Sequence, residues 1–161
     1  MKFRNAAGRG IFGELKVKGK LPMTGKYMAY VGSYSYTGKA KGITVYDVDV
    51  EAGKFIYRCE VEVDNSSYLK ASQNGRILYS IADEGVVAFR VLSNGSLARL
   101  NSANIRGMRG CHLSTSKADD YIFISGFHDG KITVLNLNNG SRRRSRGFQP
   151  AVRARRVSAR S

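Results

Sequence analysis

The sequence is short of cysteine, of long apolar runs and of acid. Its two cysteines, Cys59 and Cys111, stand far apart and belong to no CxxC or Cys/His cluster. That excludes a disulfide framework and a zinc site and predicts free, buried thiols. No stretch approaches the roughly 20 apolar residues of a membrane span, and the N-terminus lacks the apolar run of a signal peptide. A cytoplasmic protein with no membrane partner is expected, so the glycosylation spacing at Asn65-Ser66-Ser67 and Asn94-Gly95-Ser96 carries no weight. Helical periodicity is missing as well, which excludes repeats built from helix pairs.

Acid is scarce, with 12 Asp and Glu against 27 Lys and Arg for a net charge of +15, but the imbalance is local. Residues 1–26 carry +6, residues 141–161 carry +8 from eight arginines and no acid, and residues 27–140 carry only +1. A nearly neutral globular segment therefore sits between two basic extensions, both expected to lie outside the fold. The whole chain's hydrophobic content of 42%, with 9 Tyr and 7 Phe, is enough for a core.

What is present is a repeat. Tyr68-Leu69-Lys70-Ala71-Ser72 aligns with His112-Leu113-Ser114-Thr115-Ser116 at an offset of 44, and Ile77 to Ile81 aligns with Tyr121 to Ser125 at the same offset. Gly85 to Val91 falls on Gly130 to Asn136 after a one-residue insertion, and Gly42 to Val48 precedes the Gly85 copy by 43 residues. Four short strands per unit, joined by Gly or Asn-Gly turns at a period of 43 to 45, predict an all-β chain of β-propeller blades. The middle blade reads as a channel-lining strand near Tyr68 to Ser72, a continuously apolar strand Ile77 to Ala82, a more alternating strand Val86 to Leu92 and an outer strand Leu97 to Ser102. Counting strands gives one blade lacking its first strand (Met28 to about Val63), one complete blade (about Ser66 to Ala103) and one ending near Leu137. That is about two and a half blades where closed propellers use roughly four to eight. Exposed terminal faces predict self-association or aggregation.

Particular stretches resemble a family. Met28 to Thr37 followed by Lys41-Gly42-Ile43 is similar to the opening of the bacterial lactonase-type seven-bladed propellers, the 6-phosphogluconolactonase group. Asn74-Gly75-Arg76-Ile77-Leu78-Tyr79 resembles that group's recurrent DGRFLY turn and strand, and Ser125 to Val134 resembles its ANYHGGSVSV stretch. The resemblance covers residues 27–140, about the first third of a full-length member. It implies hydrolysis of 6-phosphoglucono-1,5-lactone, a small sugar lactone, in the pentose phosphate pathway, with no metal or organic cofactor. The family's proposed His, Arg and Glu lie mostly in later blades, so no catalytic residue is carried over, and the chain is expected to be truncated and inactive alone.

Substrate-binding candidates come from the residues themselves. Arg106 and Arg109 flank the start of the third blade's first strand, where a phosphate would be held by cations; a solvated loop with an inter-blade salt bridge is the alternative. His112, repeat mate of Tyr68, is placed in the channel, against a structural, hydrogen-bonded role. His128 and the pair Asp83-Glu84 read as turn residues, the pair's other reading being acid/base work. Tyr27, Tyr30, Tyr34 and Tyr36 read as alternating strand residues rather than base-stacking groups.

The extensions carry two further expectations. The run from Ser141 uses Arg alone among charged residues, with Ala, Ser and Gly, a composition of a GC-rich frame read out of register, so a frameshift near codon 141 is expected. Met23 is a natural start, and Lys18-Gly19-Lys20 fits a translated purine-rich ribosome-binding sequence. A non-enzymatic interaction module and a nucleic-acid binder acting through the tails are the alternatives to the lactonase; no specific nucleic-acid partner is expected of the folded segment.

Overall fold

A computed structural model describes residues 27–137. The extensions 1–26 and 141–161, with the expectations attached to them, lie outside the described residues, as do residues 138–140. Ten strands form three antiparallel sheets: β1 (Tyr27–Gly32), β2 (Gly42–Asp49) and β3 (Lys54–Glu62); β4 (Leu69–Ala71), β5 (Ile77–Ala82), β6 (Gly85–Val91) and β7 (Leu97–Asn104); and β8 (Gly110–Thr115), β9 (Tyr121–Gly126) and β10 (Ile132–Asn136). Each sheet is ordered as the chain runs, so every blade is a meander. Among the described residues the first blade has no inner strand and the third no outer strand. No helix among the described residues is long and apolar enough to cross a membrane.

The repeat is visible in the pairing. Leu69 pairs with Ser80 and Ala71 with Leu78 in the second blade; Leu113 pairs with Ile124 and Thr115 with Ile122 in the third, the same register displaced by one period. The outer strands also repeat a bulge. Register slips between Val45 and Tyr46 in the first blade and between Ala88 and Phe89 in the second, leaving Arg58 and Leu100 as the extra residues. Such bulges increase local twist, which each sheet needs to fan around an axis.

Two expectations are corrected. The hairpin of the third blade is longer by two residues, not one: Ile81 faces Val86, while its equivalent Ser125 faces Ile132. The third strand of the middle blade does not alternate; Gly85 to Phe89 are all buried. Alternation needs one wet face, and the second blade has none. Ile77, Tyr79, Ile81, Val86 and Ala88 pack toward Leu113, Ile122 and Ile124 of the third blade. The opposite side of the same sheet, Leu78, Val87 and Phe89, packs with Ile43 and Val63 on the side of the first. In the third blade, covered on one side only, β9 alternates strictly from Tyr121 to Ile124.

Polar ties fix neighbouring blades at both ends. At the end bearing the β4–β5 turn, the Tyr30 hydroxyl donates to the Gly95 carbonyl at 2.7 Å, and burial pushes its pKa up. There too, the Gln73 amide donates to Asp119 at 2.6 Å. In the interior, Ser66 and Ser80, both fully buried, bridge Oγ to Oγ at 2.8 Å.

Candidate functional site

At the opposite end of the strands, three kinds of connection converge: the long β1–β2 loop, the linkers β3–β4 and β7–β8, and the short β5–β6 turn. Asn65, in the first linker, is the hub. It adopts a left-handed backbone (φ 53°), which Asn tolerates better than most residues, and is buried. Its Oδ1 accepts the amides of Ser35 at 2.8 Å and Tyr36 at 3.0 Å. Its Nδ2 donates to both carboxylate oxygens of Asp83, at 3.0 and 2.8 Å. Asp83 also binds the Arg109 guanidinium, which lies over the Tyr34 ring, 5.4 Å from its centroid. Residues from all three blades are thus joined in one network.

Arg109 is therefore engaged with Asp83, while Arg106 makes no ion pair among the described residues. Arg106 is exposed and has a left-handed backbone (φ 52°), and its amide donates to Asn104 Oδ1 at 2.6 Å. His112, exposed on the inner strand β8, stands beside Tyr68 with ring centroids 4.7 Å apart. Repeat mates on adjacent blades thus make one aromatic wall on the inner side of the sheets.

The third blade anchors its own linker in a related way. Asp129 Oδ2 accepts the Met108 amide at 3.0 Å and pairs with Lys131 Nζ at 3.3 Å, and the Met108 amide above all holds its carboxyl below the ordinary carboxylate range. Asp83 and Asp129 both act as turn acceptors, and His128 sits in the same loop against Phe127. Tyr34 and Tyr36 are loop residues in edge contact with each other, not strand residues, so the strand reading holds only for Tyr27 and Tyr30. Cys111 is exposed and Cys59 half-buried, against the expectation of buried thiols. Cys111 is the unpaired residue at a bulge of β8 between Gly110 and His112, its Sγ 3.2 Å from the Ser125 carbonyl.

A groove of about 450 Å³ lies between the first two blades, lined by Glu62, Asp64, Asp83, Glu84 and Arg99 among others. None of Arg106, Arg109 and His112 lines it, and four carboxylates make it a poor receptor for an anion. No group of three or more His, Cys, Asp and Glu among the described residues converges to hold a metal.

Comparison with known proteins decides the family, because the model for the seven-bladed β-propeller lactonases matches residues 28–152. The chain belongs to these lactonases. It is 31% identical over 116 residues to the 6-phosphogluconolactonase of Bacillus subtilis, covering 68% of this chain and 33% of that one. It is 28% identical over 117 residues to the 6-phosphogluconolactonase of Formosa agariphila, with the same coverage. A solved structure from Bacteroides fragilis, provisionally named a 6-phosphogluconolactonase, superposes with a TM-score of 0.65 at 29% identity, over 71% of this chain and 33% of that chain. The periplasmic gluconolactonase of Pseudomonas aeruginosa shares the fold at 22% identity, with a TM-score of 0.63 over 71% of this chain and 35% of that one. The chain spans about a third of the length of the curated lactonases it matches. Asn65 is the residue that sequence reasoning passed over. Its signal was local: a small polar residue able to turn left-handed, between an outer strand and the next inner one.

Proposed function

We propose that this chain forms the opening blades of a lactone hydrolase acting on 6-phosphoglucono-1,5-lactone, in the cytoplasm. The observation that carries this is the match to the Bacillus subtilis 6-phosphogluconolactonase over 116 residues, together with a family match, residues 28–152, that takes in the three sheets. Lactone opening needs a polarised carbonyl, a positioned water and a base, and the phosphate needs a cation. Arg106, unpaired among the described residues, is the chain's candidate for the phosphate. His112 is its candidate for a sugar hydroxyl, steadied by Tyr68. Arg109 contributes indirectly, by fixing the linker that carries Arg106. The remaining groups belong to a closed ring, so the 161-residue chain is expected to be inactive alone.

A chimaera tests this: residues 27–137 replace the corresponding third of the Bacillus subtilis enzyme, and lactone hydrolysis is followed by proton release. Activity within about tenfold of the parent is expected. Arg106→Ala in that chimaera should raise KM by about tenfold, the loss of one charge-assisted contact worth roughly 1.5 kcal/mol. A folded chimaera without activity would overturn the assignment.

A further inference from the structure

We propose that Lys131 and Arg106 are two halves of one phosphoryl-binding site, brought together at Gly107 on the linker between the second and third blades. Its ligand, a sugar phosphate, rests on the lactone-hydrolase reading; its residues follow from the packing around that linker. The linker is pinned along its length. The Ile105 amide donates to the Glu84 carbonyl at 3.1 Å and the Arg106 amide to Asn104 Oδ1 at 2.6 Å. Asp129 Oδ2 accepts the Met108 amide at 3.0 Å, and Asp83 holds the Arg109 guanidinium. Turns of both neighbouring blades thus grip a connection on which Arg106 is left without an ion pair.

Lys131 reaches the same place from the third blade. Its loop is closed by the Gly126 amide, which donates to the Lys131 carbonyl at 2.8 Å, so the lysine starts from a fixed backbone. A Cβ on Gly107 would stand 3.6 Å from Lys131 Cδ and 2.7 Å from Asp129 Oδ2. The lysine stem therefore lies against the residue next to Arg106, and the carboxylate leaves no room for a side chain there. Asp129 also aims the lysine: Oδ1 accepts the Lys131 amide at 3.2 Å, and Oδ2 pairs with Nζ at 3.3 Å. That pairing occupies one of the three ammonium donors on a side chain that is 46% exposed, and the other two remain for a ligand.

Charge and backbone agree. Asp83 offsets Arg109, and Asp129 offsets one of the two cations at Gly107, which leaves one net positive charge, a free guanidinium fork and the spare ammonium donors. A carboxylate is satisfied by the fork alone, whereas the three oxygens of a phosphoryl group take the fork and the ammonium together. Arg106 holds a left-handed backbone (φ 52°), unfavourable for a side chain of its kind and suited to Asn or Gly. Packing gives an exposed arginine no reason to keep that strain; a ligand does.

The test is a titration of the isotope-labelled 161-residue chain, followed by nuclear magnetic resonance at the Gly107, Met108 and Lys131 amides. Sodium chloride at about 150 mM screens the eight arginines of residues 141–161, which these amides do not report. Inorganic phosphate at neutral pH should shift the three amides with a Kd of about 1–10 mM, the range of two charge-assisted contacts. 6-Phosphogluconate should bind at least as tightly, and gluconate, a carboxylate without phosphate, should leave the amides still. Arg106→Asn and Lys131→Met should each weaken phosphate binding by about tenfold or more, and Lys131→Arg should restore it. Arg106→Asn, which relieves the backbone, should at the same time raise the thermal midpoint by a few degrees, so that lost binding is not lost folding. Unmoved linker amides, a Lys131→Met variant that binds as the parent does, or gluconate binding equal to that of phosphate would each overturn the site. A shift at the linker with an inactive chimaera would keep the site and remove the lactonase reading; an active chimaera with a silent linker would do the reverse.

Discussion

Asp83 receives the guanidinium of Arg109 across the boundary between the second and third blades, and the same carboxylate holds the buried amide of Asn65. The two partners differ in consequence. Arg109 and Asp83 are each more than a third exposed, so solvent screens their pairing, and Arg109→Ala should cost about 1 kcal/mol. Asp83→Ala should cost about 2 kcal/mol, because Asn65 Nδ2 loses its acceptor in a buried position. Urea unfolding of the two variants checks the order, and only the Arg109 effect should shrink in high salt.

Gly32 sets a second test. A Cβ there would stand 2.6 Å from the Ser66 carbonyl and 2.8 Å from its hydroxyl, and Ser66 is locked against Ser80. Backbone cannot yield cheaply, so Gly32→Ala is expected to lower stability by about 2 kcal/mol, read as a lower urea midpoint at unchanged slope. An effect below about 0.5 kcal/mol would mean that the first blade sits farther from the second than described.

Asp119 occupies the left-handed position that Gly75 occupies one blade earlier, with φ of 53° and 66°. Here a side chain tolerates the strained position while its carboxylate ties the Gln73 amide. Asp119→Gly removes strain and tie together and should change stability by less than about 1 kcal/mol. Asp119→Ala keeps the strain and loses the tie, at a cost of about 2 kcal/mol. Thermal denaturation of both variants separates the two contributions.

Asp129 makes stability depend on acid. Its pKa is lowered chiefly by the Met108 amide, so ionised Asp129 favours the folded state. That contribution is complete above the ordinary carboxylate range and is lost as pH falls through the lowered value. Asp129→Asn should therefore unfold more readily than the parent at pH 7, and the gap should close as pH falls through the lowered carboxyl pKa, below the ordinary carboxylate range. A gap independent of pH would assign the loss to packing of the side chain, whose carboxylate lies against the Cα positions of Gly107 and Gly126.

The blades were legible because each strand is short, apolar and bounded by turns, and because Leu69 and Leu113 mark the same register one period apart. The hairpin length was not. Aligning Gly85 with Gly130 matched residue types, whereas register is set by which strand residues can pair, and Phe127 to Gly130 form a loop that sequence cannot size. Burial of both faces of β6 is not written in its sequence, because a sheet's second neighbour leaves no mark on the strand itself. The network around Asn65 was hidden for a different reason: Ser35, Asn65, Asp83 and Arg109 are scattered over 75 positions and meet only when three blades assemble. Of the candidates, only the Tyr68 and His112 pair followed from the repeat, since equal positions on adjacent blades must lie side by side.

The middle sheet, covered on both sides, sets the order in which the protein comes apart. Backbone amides of β5 and β6 have no route to solvent until a neighbouring blade detaches, so they should be the last to exchange with deuterium. The outer sheets can peel away singly, each breaking one boundary. Heat or denaturant should therefore erode this chain from its two ends toward Ile81 and Val86, and a fragment lacking either flank should lose the slowest-exchanging amides along with it.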